Sequence, residues 1–430
     1  MVRRHHAVRA AAVAAVVALA LTACSSDDTP GDDETATSGS TSDTGGSGDP
    51  LILGTLLPQT GSLAFLGPPE IAGVDLAVKE INEAGGVGGQ DVQVNHADSS
   101  DADHADVAPQ SWTDLKSKNV AAVIGAASSS VTKLVIDDIT NSKVVMFSPA
   151  NTATTLSGYS PFYFRTAPPD TVQGNALGNL IINDGVENLG FLVFNEEYGT
   201  SLRDVVQATV EGAGGTVTYG KTGQEFATDG PYGDAVTAIM TSNNGGAPDA
   251  IALIAFEQTK SIVPLLVGAG FKGRLYMVDG NVADYSADFD AGTLAAWTTQ
   301  GTVPGAFPSD EFQARMKEVD PDLTDFSYGP ESYDAAILIA LAAVKGGDTD
   351  GETVQANLAA VSGADGGEKC TGFKECADLL AAGENIDYEA VSGAGPFNAD
   401  NDPSSAFIGI FSAGDDNKFT WVKAVEGAVE

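Results

Sequence analysis

From residue 50 onward, short continuous apolar runs alternate with longer stretches whose apolar residues recur every three or four positions, and this alternation constrains the fold most. Leu51–Leu57, Val120–Ile124, Val144–Phe147, Leu189–Phe194, Ala250–Ile254 and Leu275–Val278 are runs of the first kind, and Val92–His96 reads as a further short strand. Pro69–Ala84 is of the second kind, with Ile71, Val74, Ala77, Val78 and Ile81 on one stripe before Gly85-Gly86 stops it. Asp103–Lys118 and Val131–Ser142 also read as helices. Strands that are apolar at every position are buried on both faces, so the pattern predicts an α/β fold with parallel sheets flanked by helices.

Open parallel sheets hold ligands beyond the carboxyl ends of their strands. Three loops leave strand ends in the first part of the chain: Pro58–Leu63, Gly125–Ser130 and Ser148–Thr152. In Gly125–Ser130 small residues lead through three serines into a helix. Free backbone N–H groups and the positive end of the helix dipole would accept an anion there without a basic side chain. Serines at this place also cap helices. The Ser148–Thr152 loop at the neighbouring strand end adds Thr152 and tips the reading towards a carboxylate site.

Net charge narrows the partners. The chain has 21 basic and 59 acidic residues, a formal charge of −38. Such a surface repels phosphate backbones, so no nucleic-acid partner is expected. The N-terminus is read separately. Arg3, Arg4 and Arg9 precede an apolar run, Ala10–Leu21, too short to span a bilayer, and Leu21-Thr22-Ala23-Cys24 resembles a bacterial lipobox. Residues 1–23 are therefore expected to be a lipoprotein signal peptide and Cys24 the lipidated residue, placing the protein on the extracytoplasmic face of the cell membrane. Residues 24–49, almost wholly Ser, Thr, Gly and Asp, would form a disordered tether. In an exported protein, Cys370 and Cys376 read as a disulfide.

Enzyme chemistry finds little to work with. His96 and His104 are the histidines left after residues 1–23, and no Gly-x-Ser-x-Gly elbow occurs. The acidic stretch Asp98–His104 lacks the glycine and terminal glutamate of a calcium loop and reads as a helix start. Gly268–Gly273 matches a dinucleotide fingerprint in spacing but follows a helix and precedes a strand, the reverse of the required order. Ala335–Val344 is an apolar helix of the core rather than a span. No enzyme activity, cofactor or metal is expected.

Ile52–Pro58, Thr60-Gly61, Gly73–Gly86, Asp98, Ile124-Gly125 with Ser128–Ser130, Ser148-Pro149-Ala150 with Thr152, Phe164-Arg165-Thr166, Tyr198-Gly199 and Tyr333–Ala336 together resemble the branched-chain amino-acid binding proteins, the leucine/isoleucine/valine-type receptors of ABC importers. The resemblance is collinear from about residue 51 to the C-terminus. It implies the type I periplasmic-binding-protein fold: two Rossmann-like lobes joined by a three-segment hinge. Residues 50–168 and 303–404 would form lobe 1, and 169–302 and 405–430 lobe 2, with crossovers near Ala167-Pro168, Gly301–Val303 and Ser404.

The resemblance also implies a site. Ser129, Ala150 and Thr152 would hold an α-carboxylate, Asp279 would pair with the α-ammonium, and Tyr198, Phe256 and Leu66 would line the cleft. Three positions depart from the family: Asp279 is a methylene shorter than the usual glutamate, Leu66 replaces an aromatic wall, and Phe256 lacks a tyrosine hydroxyl. They leave the ligand's side chain open. Glu257 would either reach the cleft or be solvated. Val361–Pro396 reads as an insertion stapled by the cysteines. The expected protein is a monomeric receptor that captures a small amino acid by hinge closure and delivers it to an ABC permease and ATPase. A urea, short-amide or aromatic-carboxylate receptor of the same fold, or a sensory module for a membrane signalling partner, is the alternative.

Overall fold

The computed structural model describes residues 48–428; the expected signal peptide, Cys24 and nearly all of the tether lie outside the described residues. The first lobe is built from β1 (Ile52–Leu57), α1 (Gly67–Glu83), β2 (Gln93–Asp98), α2 (Val107–Ser117), β3 (Ala122–Gly125), α3 (Ser129–Asn141), β4 (Val145–Ser148) and β5 (Tyr163–Arg165). Its five strands are parallel in the order β2-β1-β3-β4-β5. β3 and β4 are buried at every residue, as expected of strands covered on both faces. Asp98–His104 does start a helical segment, but a different one from the expected α-helix: Asp101 accepts from the His104 amide and closes a single 3₁₀ turn, Ala102–His104, before α2 begins at Val107.

The chain then crosses to the second lobe: α4 (Asp170–Asn183), β6 (Asn188–Val193), α5 (Glu197–Gly212), β7 (Thr216–Tyr219), α6 (Gly233–Ile239), β8 (Ala250–Ile254), α7 (Thr259–Ala269), β9 (Arg274–Val278) and β10 (Gln300–Pro304). Gly270 ends α7 in the left-handed conformation (φ 76°), so Gly268–Gly273 is the helix-to-strand turn that its context implied. The chain returns through α8 (Asp310–Val319), α9 (Gly329–Gly346), α10 (Gly351–Val361), β11 (Glu368–Cys370), α11 (Gly372–Ala381) and β12 (Ile386–Tyr388), all packed on the first lobe. Finally β13 (Ser405–Ala413) and β14 (Phe419–Ala428) complete the second sheet, ordered β14-β13-β10-β9-β8-β6-β7. β13 runs antiparallel to β10 and β14, and the remaining neighbours are parallel.

One lobe boundary differs from the expected one. Val303 and Pro304 belong to the second sheet, paired with Gly409 and Ile408, because the antiparallel β13 carries the ladder past the last β9 partner. The return crossover thus begins at Gly305 rather than at 303. The first crossover lies between the end of β5 at Arg165 and the start of α4 at Asp170, and the third precedes the start of β13 at Ser405. These two are joined inside the hinge, where the fully buried guanidinium of Arg165 donates through Nε and Nη2 to both oxygens of Asp402.

α9 is buried along most of its length between α1 and α10, which explains its apolar run. Close approach is possible because both sides are glycine: a Cβ on Gly73 would lie 2.2 Å from the Gly329 carbonyl oxygen. Asp334 of the same helix accepts from Tyr388 Oη (2.6 Å) and the amides of Val391 and Ser392 (3.0 and 2.8 Å). Those three bonds anchor the Val361–Pro396 insertion, in which the Cys370–Cys376 disulfide joins β11 to α11. No helix among the described residues is long and apolar enough to cross a membrane.

Candidate functional site

α3 begins where β3 ends. Gly125 makes the turn with φ 124°, and a Cβ there would meet the Leu56 carbonyl at 2.1 Å. Ser128 is the N-cap, its Oγ accepting from the Val131 amide at 3.3 Å. The Ser129 and Ser130 amides that follow have no intrahelical partner, as in the first turn of any helix. Ser129 Oγ accepts from the Ala153 amide at 3.3 Å and so fastens the loop after β4 to the helix. That loop is further held by Ser148 Oγ, which donates to the Ala126 carbonyl at 2.7 Å, and by the Asn151 amide group, which donates to Thr132 Oγ1 at 2.8 Å. The donor groups are positioned by a rigid, buried framework.

Across the cleft, β9 ends in a single 3₁₀ turn that carries Asp279. Its Oδ1 accepts from Tyr198 Oη and Gln173 Nε2, both at 2.6 Å, and its Oδ2 from Tyr328 Oη at 2.7 Å. Burial raises the Asp279 pKa above the usual carboxylate range, and these three bonds to the ionised form oppose the rise. Tyr198 stacks on Phe256 with ring centroids 5.7 Å apart, and Phe194 meets the Phe256 edge at 4.7 Å. Gly280 lies so close to Phe256 that a Cβ would come within 2.7 Å of the ring.

One interlobe cavity joins these groups. The first lobe contributes Leu63, Leu66, Ser128, Ser129, Ala150 and Asn151, the second contributes Tyr198, Phe256, Asp279 and Gly280, and Tyr328 comes from the turn before α9. Six of the seven residues expected at the site line it. Thr152 does not: it is buried behind the wall, where its carbonyl accepts from the Asp170 amide at 2.7 Å and its hydroxyl lies beside the Asp170 carboxyl. Glu257 stands outside as well, exposed and 3.2 Å from Lys260, which resolves its two readings in favour of the solvated one. The sequence reading missed Tyr328, Gln173 and Asp170. Asp170 and Gln173 follow Pro168-Pro169 at one-turn spacing, and Tyr328 precedes a Gly-Pro helix start; these are polar residues at element boundaries that periodicity passes over.

The lobes are closed over the cavity, whose volume is about 20 Å³, room for roughly one water. The closure contacts cluster at the N-terminus of α5. Ser128 Oγ donates to Glu196 Oε1 at 3.3 Å, the Glu197 amide to Ser130 Oγ at 3.2 Å, Lys133 Nζ to Glu197 at 2.6 Å, and the Thr154 amide to Ser201 Oγ at 3.0 Å. Thr228 Oγ1 adds a bond to Asp103 at 2.9 Å. Burial pushes the Glu196 carboxyl up to about 7, with the Ser130 and Ser128 hydroxyls opposing the rise. Burial likewise pushes Asp170 up to about 7, and the Asp279 charge adds to the effect. Among the described residues no cluster of three or more His, Cys, Asp or Glu could hold a metal ion.

Two lobes, each an α/β unit, enclosing a small mixed polar and apolar cavity at their strand ends define a solute-binding receptor. The periplasmic binding protein family matches residues 50–401, and the chain belongs to that family. It is 28% identical over 382 residues to the chemotactic signal transduction system substrate-binding protein BasB of Halobacterium salinarum, covering 84% of this chain and 86% of BasB. In fold it is similar to the branched-chain amino acid transporter substrate-binding protein LivJ of Streptococcus pneumoniae in complex with isoleucine (TM-score 0.68, 19% identity, 89% of this chain and 100% of that one). A solute-binding protein of an ABC transporter from R. palustris in complex with benzoate has the same fold (TM-score 0.68, 17% identity, 89% and 98%).

Proposed function

We propose that this receptor captures a small zwitterionic amino acid between its lobes, is held at the extracytoplasmic face of the membrane through a lipid on Cys24, and hands its ligand to an ABC permease and ATPase. One observation carries the reading: the cavity has a carboxylate on one wall and unpaired N–H and hydroxyl donors on the other. Ser129, with the first-turn amides of α3, faces the ligand's carboxylate, and Asp279 faces its ammonium. A charged group taken out of water needs such a partner, and the charge-assisted bonds at both ends set the orientation. Leu63, Leu66 and Phe256 supply the apolar wall for the side chain. Closure follows from the ligand bridging the lobes, since a ligand shifts the open–closed equilibrium only by what it gains in the closed form.

A thermal-shift and calorimetric screen over amino acids, amides and aromatic acids tests this. Binding of an aliphatic amino acid, lost in both Ser129→Ala and Asp279→Ala, is the expected result. Absence of binding by any zwitterion, with another ligand indifferent to both substitutions, contradicts it.

The similarity to BasB along 84% of the chain favours a second reading of the downstream step, in which the closed form is presented to a membrane signalling partner. The ligand chemistry is the same in both, and deletion of the cell's amino-acid ABC permease or of a membrane transducer would separate them by which loss abolishes uptake and which abolishes taxis.

A further inference from the structure

Two spaces meet at Tyr328. On one side is the closed cavity of about 20 Å³; on the other, towards the hinge, is a groove of about 660 Å³ between the lobes. Among the described residues Tyr328 alone lines both. The groove is walled by Val282, Phe326, Phe411, Phe419 and Trp421, and its cation Lys418 is already paired with Asp284 at 2.6 Å. Asp325 and Glu331 also line it, but the aromatic and aliphatic wall gives an apolar group a surface to pack on.

A ligand larger than a water needs room that the closed cavity lacks. Parting the lobes supplies it by breaking the whole set of closure contacts at α5. Turning Tyr328 aside supplies it by breaking one side-chain bond, that from Tyr328 Oη to Asp279 Oδ2. The backbone of Tyr328 also sits at φ 58°, a left-handed conformation that disfavours a side-chain-bearing residue by about 1–2 kcal/mol and is held there by its surroundings.

We infer that Tyr328 is the size gate of the cleft, and that the ring swings aside to let the apolar tail of a long-chain α-amino acid, linear alkyl or aryl, run from the cleft into the hinge-side groove while its zwitterionic head stays between Ser129 and Asp279. This rests on the reading of the cleft as the amino-acid site and names the ligand class that the site takes.

Calorimetric titration of the full chain with 2-aminobutanoate, 2-aminohexanoate, 2-aminooctanoate and homophenylalanine tests the gate, using Tyr328→Ala, Tyr328→Phe and Ala283→Trp. Ala283 lines the groove and not the cavity. Tyr328→Ala should favour the longer ligands over 2-aminobutanoate by roughly tenfold for each two added methylenes. Tyr328→Phe, which keeps the ring but frees it from Asp279, should favour them less. Ala283→Trp should cancel the gain for 2-aminooctanoate and leave 2-aminobutanoate unaffected. Where Tyr328→Ala fails to fold, Tyr328→Phe and Ala283→Trp carry the same comparison. A uniform change across the series, or a length dependence indifferent to Ala283→Trp, overturns the gate while leaving the cleft reading intact. Binding of no zwitterion by any form overturns the cleft reading and the gate with it.

Discussion

Glu196 Oε1, on the second lobe, accepts a hydrogen bond from Ser128 Oγ, the N-cap of α3 on the first lobe, at 3.3 Å. The bond links closure to protonation. In the closed form burial holds the Glu196 carboxyl at about 7 against an ordinary 4.5. A raised carboxyl pKa means that the closed form binds the proton more tightly. Its contribution to closure is therefore complete below about pH 4.5, is lost as pH rises to 7, and is flat above. Small-angle scattering across pH 4.5 to 8 should show the compact form declining through that window. Glu196→Gln, neutral at every pH, should flatten the curve; Asp170, also at about 7, sets the residual slope.

The Arg165–Asp402 pair makes a stability prediction. Both side chains are buried, and removing one partner strands a charge out of water. Asp402→Ala should destabilise the fold by about 3–5 kcal/mol in urea denaturation. A loss below about 1 kcal/mol would mean that the crossovers are not held by this pair.

The Cys370–Cys376 loop predicts the opposite division of effects. With a sequence separation of six, the chain-entropy contribution of the disulfide is about 2 kcal/mol. Cys370→Ser with Cys376→Ser should lower stability by about that amount. Ligand affinity should not change, because neither residue lines the cavity.

The alternation of strands and helices was legible because the central strands β1, β3, β4, β6, β8 and β9 are largely apolar and buried and α1 carries one apolar stripe. The carboxyl-end loops followed from that, and with them the serines of α3. Less legible was what depends on contact between distant segments. Thr152 was assigned to the ligand by its place in a strand-end loop as well as by the resemblance, but in the fold it packs on Asp170. Tyr328 has no periodic signature, because its role comes from a hydroxyl reaching Asp279, 49 residues earlier in the chain. The crossover expected near Gly301–Val303 falls later because β13, about a hundred residues on, extends the β10 ladder to Pro304.

Tyr198 and Gln173 share one oxygen of Asp279. Tyr198→Phe should remove one bond to the ionised carboxylate and weaken zwitterion binding by about ten- to a hundredfold, as expected of charged hydrogen bonds worth about 1.5–3 kcal/mol. Calorimetry at pH 7 reads this directly, and an unchanged affinity would separate Asp279 from the ligand.

The central claim is that the cleft recognises both ends of a zwitterion. Competitive calorimetry of leucine against 4-methylpentanoate, which lacks the ammonium, and isopentylamine, which lacks the carboxylate, tests it most directly. Both analogues should bind at least about a hundredfold more weakly than leucine. Asp279→Asn should close the gap between leucine and 4-methylpentanoate alone. If 4-methylpentanoate binds as tightly as leucine to the unaltered protein, Asp279 does not read an ammonium and the account is wrong.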